Sequence, residues 1–149
     1  MPPTTTAIVA TNAKVWIDNA AGTPVDVSGS SNRIEISPEN GIAEFRAFGQ
    51  TWRQRRVTGK DVSMSFNVIY TTASDEAVDV LKTWFFGGSD AARTVSVYLP
   101  DKNVGSDHFY GEFVLASLSI PLDAEADEVV RVSCDLRADG QVYVTAATT

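Results

Sequence analysis

The sequence predicts a mainly β protein: an antiparallel β-sandwich or partial barrel with one flanking α-helix. Apolar and polar residues alternate along residues 107–119 and 130–137, as they do in strands that bury one face. Seven or eight stretches of this kind occur, whereas only residues 74–88 have a helical pattern. Parallel strands would need several helical crossovers, so we expect a mainly antiparallel sheet with the helix covering one open side.

The first third of the chain predicts three short strands. Residues 13–18 make the first strand, and the second lies within the TPVDVSG stretch that follows a turn. Residues 32–37, with Ile34 and Ile36 in phase, make the third. Pro38-Glu39-Asn40-Gly41 is interpreted as a turn. Residues 42–59 have neither a strand nor a helix period and are interpreted as a long loop, which is usually functional.

The clearest strand pattern covers residues 60–70, where Val62, Met64, Phe66, Val68 and Tyr70 alternate with the polar residues Asp61, Ser63, Ser65 and Asn67. The helix follows, with Ser74 as the expected N-cap. Asp75 and Glu76 would lie at the positive end of the helix dipole. Gly87-Gly88 is the expected left-handed C-cap.

The last part of the chain predicts four more strands. One contains Val95, Val97 and Leu99, and the long strand from residue 107 must end before Pro121, which cannot donate to a ladder. An acidic connection leads to the strand at residues 130–137. Asp139-Gly140 then predicts a tight hairpin turn into a final strand.

Length and composition are those of one globular domain. The chain has 149 residues, of which 44% are hydrophobic and 21% charged. We expect a flexible N-terminal arm over residues 1–11 and a single β domain over residues 12–149. A net charge of −7 disfavours a nucleic-acid clamp, and no stretch has the length or apolarity of a signal peptide or a membrane span. The expected setting is a cytoplasm, without a membrane partner.

The residues give no sign of catalysis, so the chain is not expected to be an enzyme. His108 is the single histidine and stands in no nucleophile pattern. Cys134, the single cysteine, lies on the apolar face of a predicted strand and is interpreted as a small buried hydrophobe. The acids at residues 123–128 lack the spacing of a calcium loop. No metal ligand set or cofactor is predicted.

The most distinctive segment is the predicted loop, which combines aromatic and basic side chains. It is open to three interpretations: a solvated loop, a nucleic-acid stacking platform, or a docking element for another protein. We favour docking, because residues 107–139 supply eight acids against two bases as a complementary surface. The docking candidates are Phe45, Arg46, Phe48, Trp52, Arg53, Arg55 and Arg56.

The order of these elements resembles the tail tube proteins (major tail proteins) of long-tailed bacteriophages. The resemblance covers roughly residues 12–145. It includes the NRIEIS strand, the long loop, a helix ending in Trp-Phe-Phe-Gly-Gly and a strand ending in Tyr-Leu-Pro. Its most characteristic part is YGEFVLASLSIPLDAEADEVVRVSCDLRADGQV.

The resemblance implies a structural virion protein that self-assembles into stacked hexameric rings. The rings would form the phage tail tube, assembled in the host cytoplasm, through which DNA is delivered to the host. The long loop would reach a neighbouring ring. Implied partners are other copies of the chain and the tape-measure, tail-tip and tail-terminator proteins, while DNA would pass without specific binding.

In such a tube the polar side of the long strands would face the lumen. A polar, net acidic lining would repel phosphates and let DNA slide. The lining candidates are Ser63, Ser65, Asn67, Glu112 and Asp135, with Arg131 and Ser133 as further members.

Two other functions remain open. One is a related tail component, such as a tail terminator, a distal tail protein or a contractile-type inner tube protein. The other is a carbohydrate-binding β-sandwich, which needs aromatic residues on one concave face. Trp16, Trp52 and Trp84 instead fall on a predicted strand, a loop and a helix.

Overall fold

The computed structural model describes residues 10–74, 76–87, 91–99, 105–124 and 129–147. These residues form eight strands, one α-helix and two short 3₁₀ turns, Ala10–Asn12 and Ser28–Ser30. The helix is α1 (Ala77–Phe86). The strands are β1 (Lys14–Asp18), β2 (Pro24–Asp26), β3 (Ser31–Phe45), β4 (Gln54–Ile69), β5 (Arg93–Leu99), β6 (Asp107–Ser119), β7 (Arg131–Ala138) and β8 (Tyr143–Ala146). Residues 1–9, which are most of the expected flexible N-terminal segment, lie outside the described residues. So do residues 125–128, which are most of the acidic connection.

The strands make one antiparallel sheet in the order β2-β1-β5-β6-β7-β4-β3, and β8 pairs with β6. The two outermost strands, β2 and β3, are consecutive in the chain and are joined only by residues 27–30. That link spans at most about 18 Å, whereas seven flat strands would hold the outer two about 29 Å apart. The sheet must therefore curl, which gives the partial barrel that the sequence predicted.

The hydrophobic core lies inside the curl, and α1 closes one side. Val95, Phe113 and Leu136 of β5, β6 and β7 have no exposed surface. The Ala77 backbone N–H at the start of α1 donates a 3.3 Å hydrogen bond to Ser30 Oγ in the link. The apolar stripe of α1 consists of Ala77, Val78, Val80, Leu81 and Trp84, all buried.

The N-cap of α1 is Glu76 rather than Ser74, so that prediction is wrong. Glu76 has the extended backbone of an N-cap, and its carboxylate accepts a hydrogen bond from the Thr71 hydroxyl. This bond holds the Glu76 side chain against Thr71, in the segment that leads into the helix. Asp75, expected in the first turn, lies outside the described residues.

The C-cap of α1 is Gly87, but its φ of −76° is not left-handed, contrary to the prediction. A Cβ at this position would lie 2.2 Å from the Thr83 carbonyl oxygen, which accepts the Gly87 N–H. Close backbone approach therefore explains this glycine. Gly88 lies outside the described residues.

The largest correction concerns residues 38–59, which were expected to be a turn and a loop. They belong to an antiparallel hairpin in which β3 runs on to Phe45 and β4 begins at Gln54. Pro38 is tolerated because β3 is an edge strand that pairs only with β4. A register shift between Gly41 and Ile42 breaks the alternation, which hid the strands. Residues 38–61, all exposed, are called the arm below.

The predicted hairpin at Asp139-Gly140 is also wrong. β8 pairs with residues 107–110 of β6, so it continues in the direction of β7 and does not fold back on it. The Asp139 N–H donates a 2.8 Å bond to the Glu112 carbonyl oxygen at this kink, and Gly140 has a φ of +106°. Gly111 leaves room for the kink, because a Cβ there would lie 3.1 Å from the Gln141 carbonyl oxygen.

Candidate functional site

The outward side of β3, β4, β7 and residues 114–119 of β6 forms a polar face. Glu35, Ser65, Asp135 and Ser117 lie in one row across the four strands. The Asp135 carboxylate accepts hydrogen bonds from Ser65 Oγ at 2.9 Å and from Ser117 Oγ at 3.1 Å. These bonds hold the outward side chains flat against the sheet.

Neighbouring rows of the polar face have the same character. Ser133 Oγ donates a 3.0 Å bond to Asn67 Oδ1, and Ser63 Oγ donates a 3.4 Å bond to the Ser37 carbonyl oxygen. Small hydroxyl and amide side chains thus cover β4, whereas Ser133 and Asp135 on β7 are flanked by Arg131 and Arg137. Four of the five lining candidates lie together here: Ser63, Ser65, Asn67 and Asp135.

Glu112 lies apart from this group. It faces Thr94 of β5, whose hydroxyl hydrogen-bonds its carboxylate. Asp18 of β1 is close by, and burial and then the Glu112 charge raise the pKa of Asp18 above its ordinary value. Glu112 therefore belongs to the β1-β5-β6 part of the sheet.

The charge on the polar face is close to balanced. On the part of the face that the core backs, Arg33, Arg131 and Arg137 outnumber Glu35 and Asp135 by one, and Glu39 and Asp61 at the base of the arm bring the total to one net negative charge, where the sequence led us to expect a net acidic lining. Much of the acidity counted in residues 107–139 lies on the connection and the turns instead. The charged residues of the face and of its extension into the arm are Glu35, Glu39, Asp61 and Asp135 against Arg33, Arg131 and Arg137.

The arm presents aromatic side chains to solvent. Phe48 and Trp52 lie at its tip and are 108% and 84% exposed, and Phe45 on the stem is also exposed. These side chains are exposed because the arm is a two-stranded hairpin that extends beyond the core, so neither of its faces is buried. Exposed aromatic residues in this number are typical of a binding surface.

The basic residues of the arm are partly paired within it. Glu44 accepts hydrogen bonds from Arg55 Nε at 2.8 Å and from Arg53 Nη1 at 3.3 Å. The Arg55 hydrogen bond is the main cause that lowers the pKa of Glu44 below its ordinary value. Arg56 lies over the Phe45 ring at 5.7 Å, and Arg46 is exposed where β3 ends. Two of the four guanidinium groups thus already have a carboxylate partner.

An aromatic ladder crosses the outward side of β5, β6 and β8, and sequence reasoning missed it. His108 stacks on Tyr98 with ring centroids 4.2 Å apart and lies 4.7 Å from Tyr110. Tyr110 in turn stacks on Tyr143 at 5.3 Å. The period-two spacing of residues 108 and 110 indicates that both face the same side of a strand. The register of β5, β6 and β8 was needed to show that Tyr98 and Tyr143 lie beside them. His108 is therefore part of a packed stack.

An open groove follows the seam where the two ends of the curled sheet face each other. It has a volume of about 600 Å³ and lies between β3 on one side and β1, β5 and β6 on the other. Its apolar lining comprises Val15, Ile34, Ile36, Pro38, Val97, Leu99 and Phe109. No sequence pattern predicted it, because the seam joins strands that do not pair.

The described residues contain no cluster of three or more histidine, cysteine or acidic side chains that could hold a metal ion. Burial raises the pKa of the Cys134 thiol to about 12, so this thiol stays protonated at neutral pH. Within the same residues, α1 is too short to cross a membrane.

No protein-family model matches the chain, and no curated protein matches it. Solved structures do. The tail of an empty gene transfer agent particle, refined with C6 symmetry, has a TM-score of 0.73 at 15% identity and covers 94% of this chain and 100% of its own. The SPP1 tail tube has a TM-score of 0.75 at 12% identity, covering 96% of this chain and 81% of its own.

A third similar structure is the six-fold symmetrised baseplate of the anti-feeding prophage. It has a TM-score of 0.76 at 14% identity and covers 98% of this chain and 100% of its own. All three likenesses cover at least 94% of this chain. The chain therefore has the tail-tube fold, as its order of elements indicated.

Proposed function

We propose that this chain is a structural virion protein whose copies form stacked hexameric rings, and that the rings make a tail tube through which DNA is delivered. The observation that carries the proposal is the polar face: a four-stranded wall of polar, partly hydrogen-bonded side chains on a tail-tube fold. The C6 symmetry of the similar gene transfer agent tail supports six copies in a ring.

The free edges of the polar face suit ring closure. The outer edge of β3 pairs with no described strand, and β5 stops pairing with β6 at Phe113, which leaves residues 114–119 with one free edge. These two edge strands run in opposite directions. Rotating one copy to the next therefore places β6 antiparallel to β3 of its neighbour, and the exposed edges are paired.

A ring of six such faces would make a barrel of roughly two dozen strands. With strands about 4.8 Å apart and tilted as in other barrels, its bore between side chains would be about 25–40 Å wide. That width admits a DNA duplex. A lining of hydroxyl and amide groups with nearly balanced charge offers phosphates no cluster of cations to bind, so DNA would pass without specific binding.

The arm supports stacking of the rings. It extends the sheet beyond the core, and its exposed aromatic tip is placed to contact another copy. The tube would assemble in the host cytoplasm with tape-measure, tail-tip and tail-terminator proteins and would reside in the tail of the virion.

A second candidate is a related component that caps or opens the tube on the same fold. The similarity to a baseplate structure favours it. Such a component would form a closed ring and stop, whereas a tube subunit polymerises. The same difference separates a tail terminator from a tube protein.

The test is electron microscopy of the purified full chain over a range of concentrations, followed by helical reconstruction. We expect hollow tubes of six-fold symmetry with Ser65 and Asp135 on the lumen wall. Single rings that never stack would favour the capping component. A chain that stays monomeric under all assembly conditions, or tubes lined by the aromatic ladder, would overturn the proposal.

A further inference from the structure

The outward side of β1, β5, residues 107–112 of β6 and β8 forms a second face, called the outer face below. Strand pairing sets its side chains in three rows that cross the sheet. The alternate residues of β1 and β5 are buried, so the rows point away from the core. The rows are Lys14, Tyr98, His108 and Thr145; Asp26, Trp16, Ser96, Tyr110 and Tyr143; and Asp18, Thr94 and Glu112.

Aromatic side chains are concentrated on the outer face. It holds three of the four tyrosines of the chain and its single histidine, with Trp16 beside them in the middle row. Tyr143 is 46% exposed, and Trp16 and Tyr110 are half-buried. Tyrosine and tryptophan are enriched in protein–protein interfaces, where they supply a large contact area at a small cost in conformational entropy. The outer face therefore has the composition of a protein-binding surface.

The outer face and the polar face lie on opposite sides of the molecule. Val95 and Val97 enter the core from the outer half of the curled sheet, and Phe66 and Leu136 enter it from the polar half. In the proposed tube, a polar face on the lumen therefore puts the outer face on the outside. Ring closure at the edges of β3 and β6 does not use it.

Carboxylates border the aromatic side chains on the outer face. Its charged residues are three acids, Asp18, Asp26 and Glu112, and one base, Lys14. Burial and then the Glu112 charge raise the pKa of Asp18, although Arg93 on the buried side of β5 offsets part of this effect. A cation supplied by a partner would relieve the repulsion between these carboxylates. Charge complementarity thus favours a basic partner and disfavours nucleic acid.

The stacking of the rings decides between a protein and a sugar as the partner. The His108 and Tyr98 rings are 4.2 Å apart with an angle of 11° between their planes, and the Tyr110 and Tyr143 rings are 5.3 Å apart at 21°. Their faces are thus turned towards each other. A sugar or a nucleobase stacks on an open ring face, whereas ring edges pack against aliphatic side chains. The ladder therefore fits a protein segment with apolar side chains.

We propose that the outer face binds a segment of a different protein on the outside of the tube, and that this segment carries lysine or arginine next to apolar side chains. The cations pair with Asp18, Asp26 and Glu112, and the apolar groups pack on the aromatic ladder. The location rests on the proposed tube function. A second copy is not the occupant, because copies within one ring meet at the strand edges and the outer face points away from them.

The first experiment uses the tyrosines as reporters. The full chain is labelled with 3-fluorotyrosine and titrated, below its assembly concentration, with a short peptide of alternating lysine and valine. The fluorine NMR signals of Tyr98, Tyr110 and Tyr143 should shift to saturation. Tyr70 is the internal control, because it follows β4 and packs against the core, and its signal should not move.

Two further ligands define what these shifts mean. The same peptide with glutamate in place of lysine should leave all four signals unmoved, since it would be repelled by the carboxylates. Shifts caused by chitotriose and not by the basic peptide would overturn the proposal in favour of a sugar. An absence of shifts with the basic peptide would overturn it as well.

The second experiment measures the dissociation constant of the same peptide in single variants. Tyr143→Ala should raise it at least about tenfold, whereas Val144→Ala should not change it, because Val144 is the next residue of β8 and faces the other side. Glu112→Gln should raise it about three- to fivefold, as for an exposed ion pair. Asp123→Asn is the charge control, since Asp123 is exposed and belongs to none of the three rows. Equal constants in Tyr143→Ala and Val144→Ala would contradict the docking.

Assembly of these variants separates the docking from the tube function. Electron microscopy should show that Tyr143→Ala and Glu112→Gln form tubes as the unmodified chain does. Loss of tubes in Tyr143→Ala, with Val144→Ala unaffected, would make the outer face a contact between copies and overturn the proposal. Tubes without peptide binding would refute the docking alone, and peptide binding by a chain that never forms tubes would refute the tube function alone.

Discussion

Arg55 Nε donates a 2.8 Å hydrogen bond to Glu44 Oε1 across the two strands of the arm. Arg53 Nη1 reaches the other oxygen of the same carboxylate at 3.3 Å. The pair lies one step from the end of the hairpin ladder, at Phe45–Gln54. It thus links the strands where a two-stranded element would otherwise fray.

This contact predicts the titration of Glu44. Its pKa should lie below the ordinary 4.5, because the Arg55 hydrogen bond and then the Arg55 charge favour the carboxylate. A lowered pKa means that the contribution to arm order is present above about pH 4.5 and is lost as the pH falls through the folded-state pKa. The measurement is a carboxyl-carbon NMR titration. Arg55→Gln should raise the pKa more than Arg53→Gln does, and no change in Arg55→Gln would refute the assignment.

Core burial predicts a contrast between two leucines. Leu136 on β7 is 0% exposed and Leu122 is 80% exposed. Leu136→Ala should lower the free energy of unfolding by about 2–5 kcal/mol, since it leaves a cavity. Leu122→Ala should change it by less than about 0.5 kcal/mol. Both are measured by denaturant unfolding of the unassembled chain, and equal effects would show that β7 does not cover the core.

The thiol of Cys134 should be unreactive in the folded chain. Burial raises its pKa to about 12, so almost no thiolate forms at pH 8. Labelling with iodoacetamide should therefore require denaturant. Ser117→Cys is the control, because residue 117 is exposed on the polar face and its thiol should react at once. Rapid labelling of native Cys134 would mean that β7 opens readily.

The kink between β7 and β8 should depend on Gly140. Its φ of +106° is unfavourable for a residue with a Cβ, so Gly140→Ala should cost about 1–2 kcal/mol of stability. Gly59→Ala is the control, since Gly59 has an ordinary φ and open space where a Cβ would go. Thermal unfolding compares them. If the two variants melt together, the positive φ at residue 140 is not required.

Lysines on the polar face should make tubes retain DNA. The triple change Ser63→Lys, Ser65→Lys and Asn67→Lys adds three cations per copy to the proposed lumen, and DNA binding by assembled tubes should appear and fall steeply with salt. The control places the same three charges at exposed threonines elsewhere: Thr23, Thr72 and Thr145. Binding that is equal in both triple variants would indicate that the polar face does not line the channel.

Alternation of residue types predicted the strands that bury one face. The alternation predicted that Phe66, Phe113 and Leu136 face the core, and all three are buried. The same period placed Ser65 and Asp135 on one outward face, where they hydrogen-bond. Local pattern sufficed here, because burial on one side of a strand leaves a period-two signal.

The local sequence pattern could not predict features that depend on strands distant in the chain. The Asp139-Gly140 signal identified a turn but not that β8 would pair with β6. Pro38 ended the predicted strand, since nothing local shows that it lies on a sheet edge. The arm has no buried face, so its sequence lacks the apolar–polar alternation that a half-buried strand shows. The groove arises only when the sheet curls.

The pairing of β4 with β7 also affects synthesis of the chain. About sixty residues separate Ile69 from Arg131, which at ribosomal rates takes about 3–12 s to make. During that interval a nascent hairpin of β3 and β4 lacks its neighbour β7, although Met64, Phe66 and Val68 are buried in the finished protein. The emerging chain therefore exposes one edge of β4 until its last third leaves the ribosome, which is a route to aggregation.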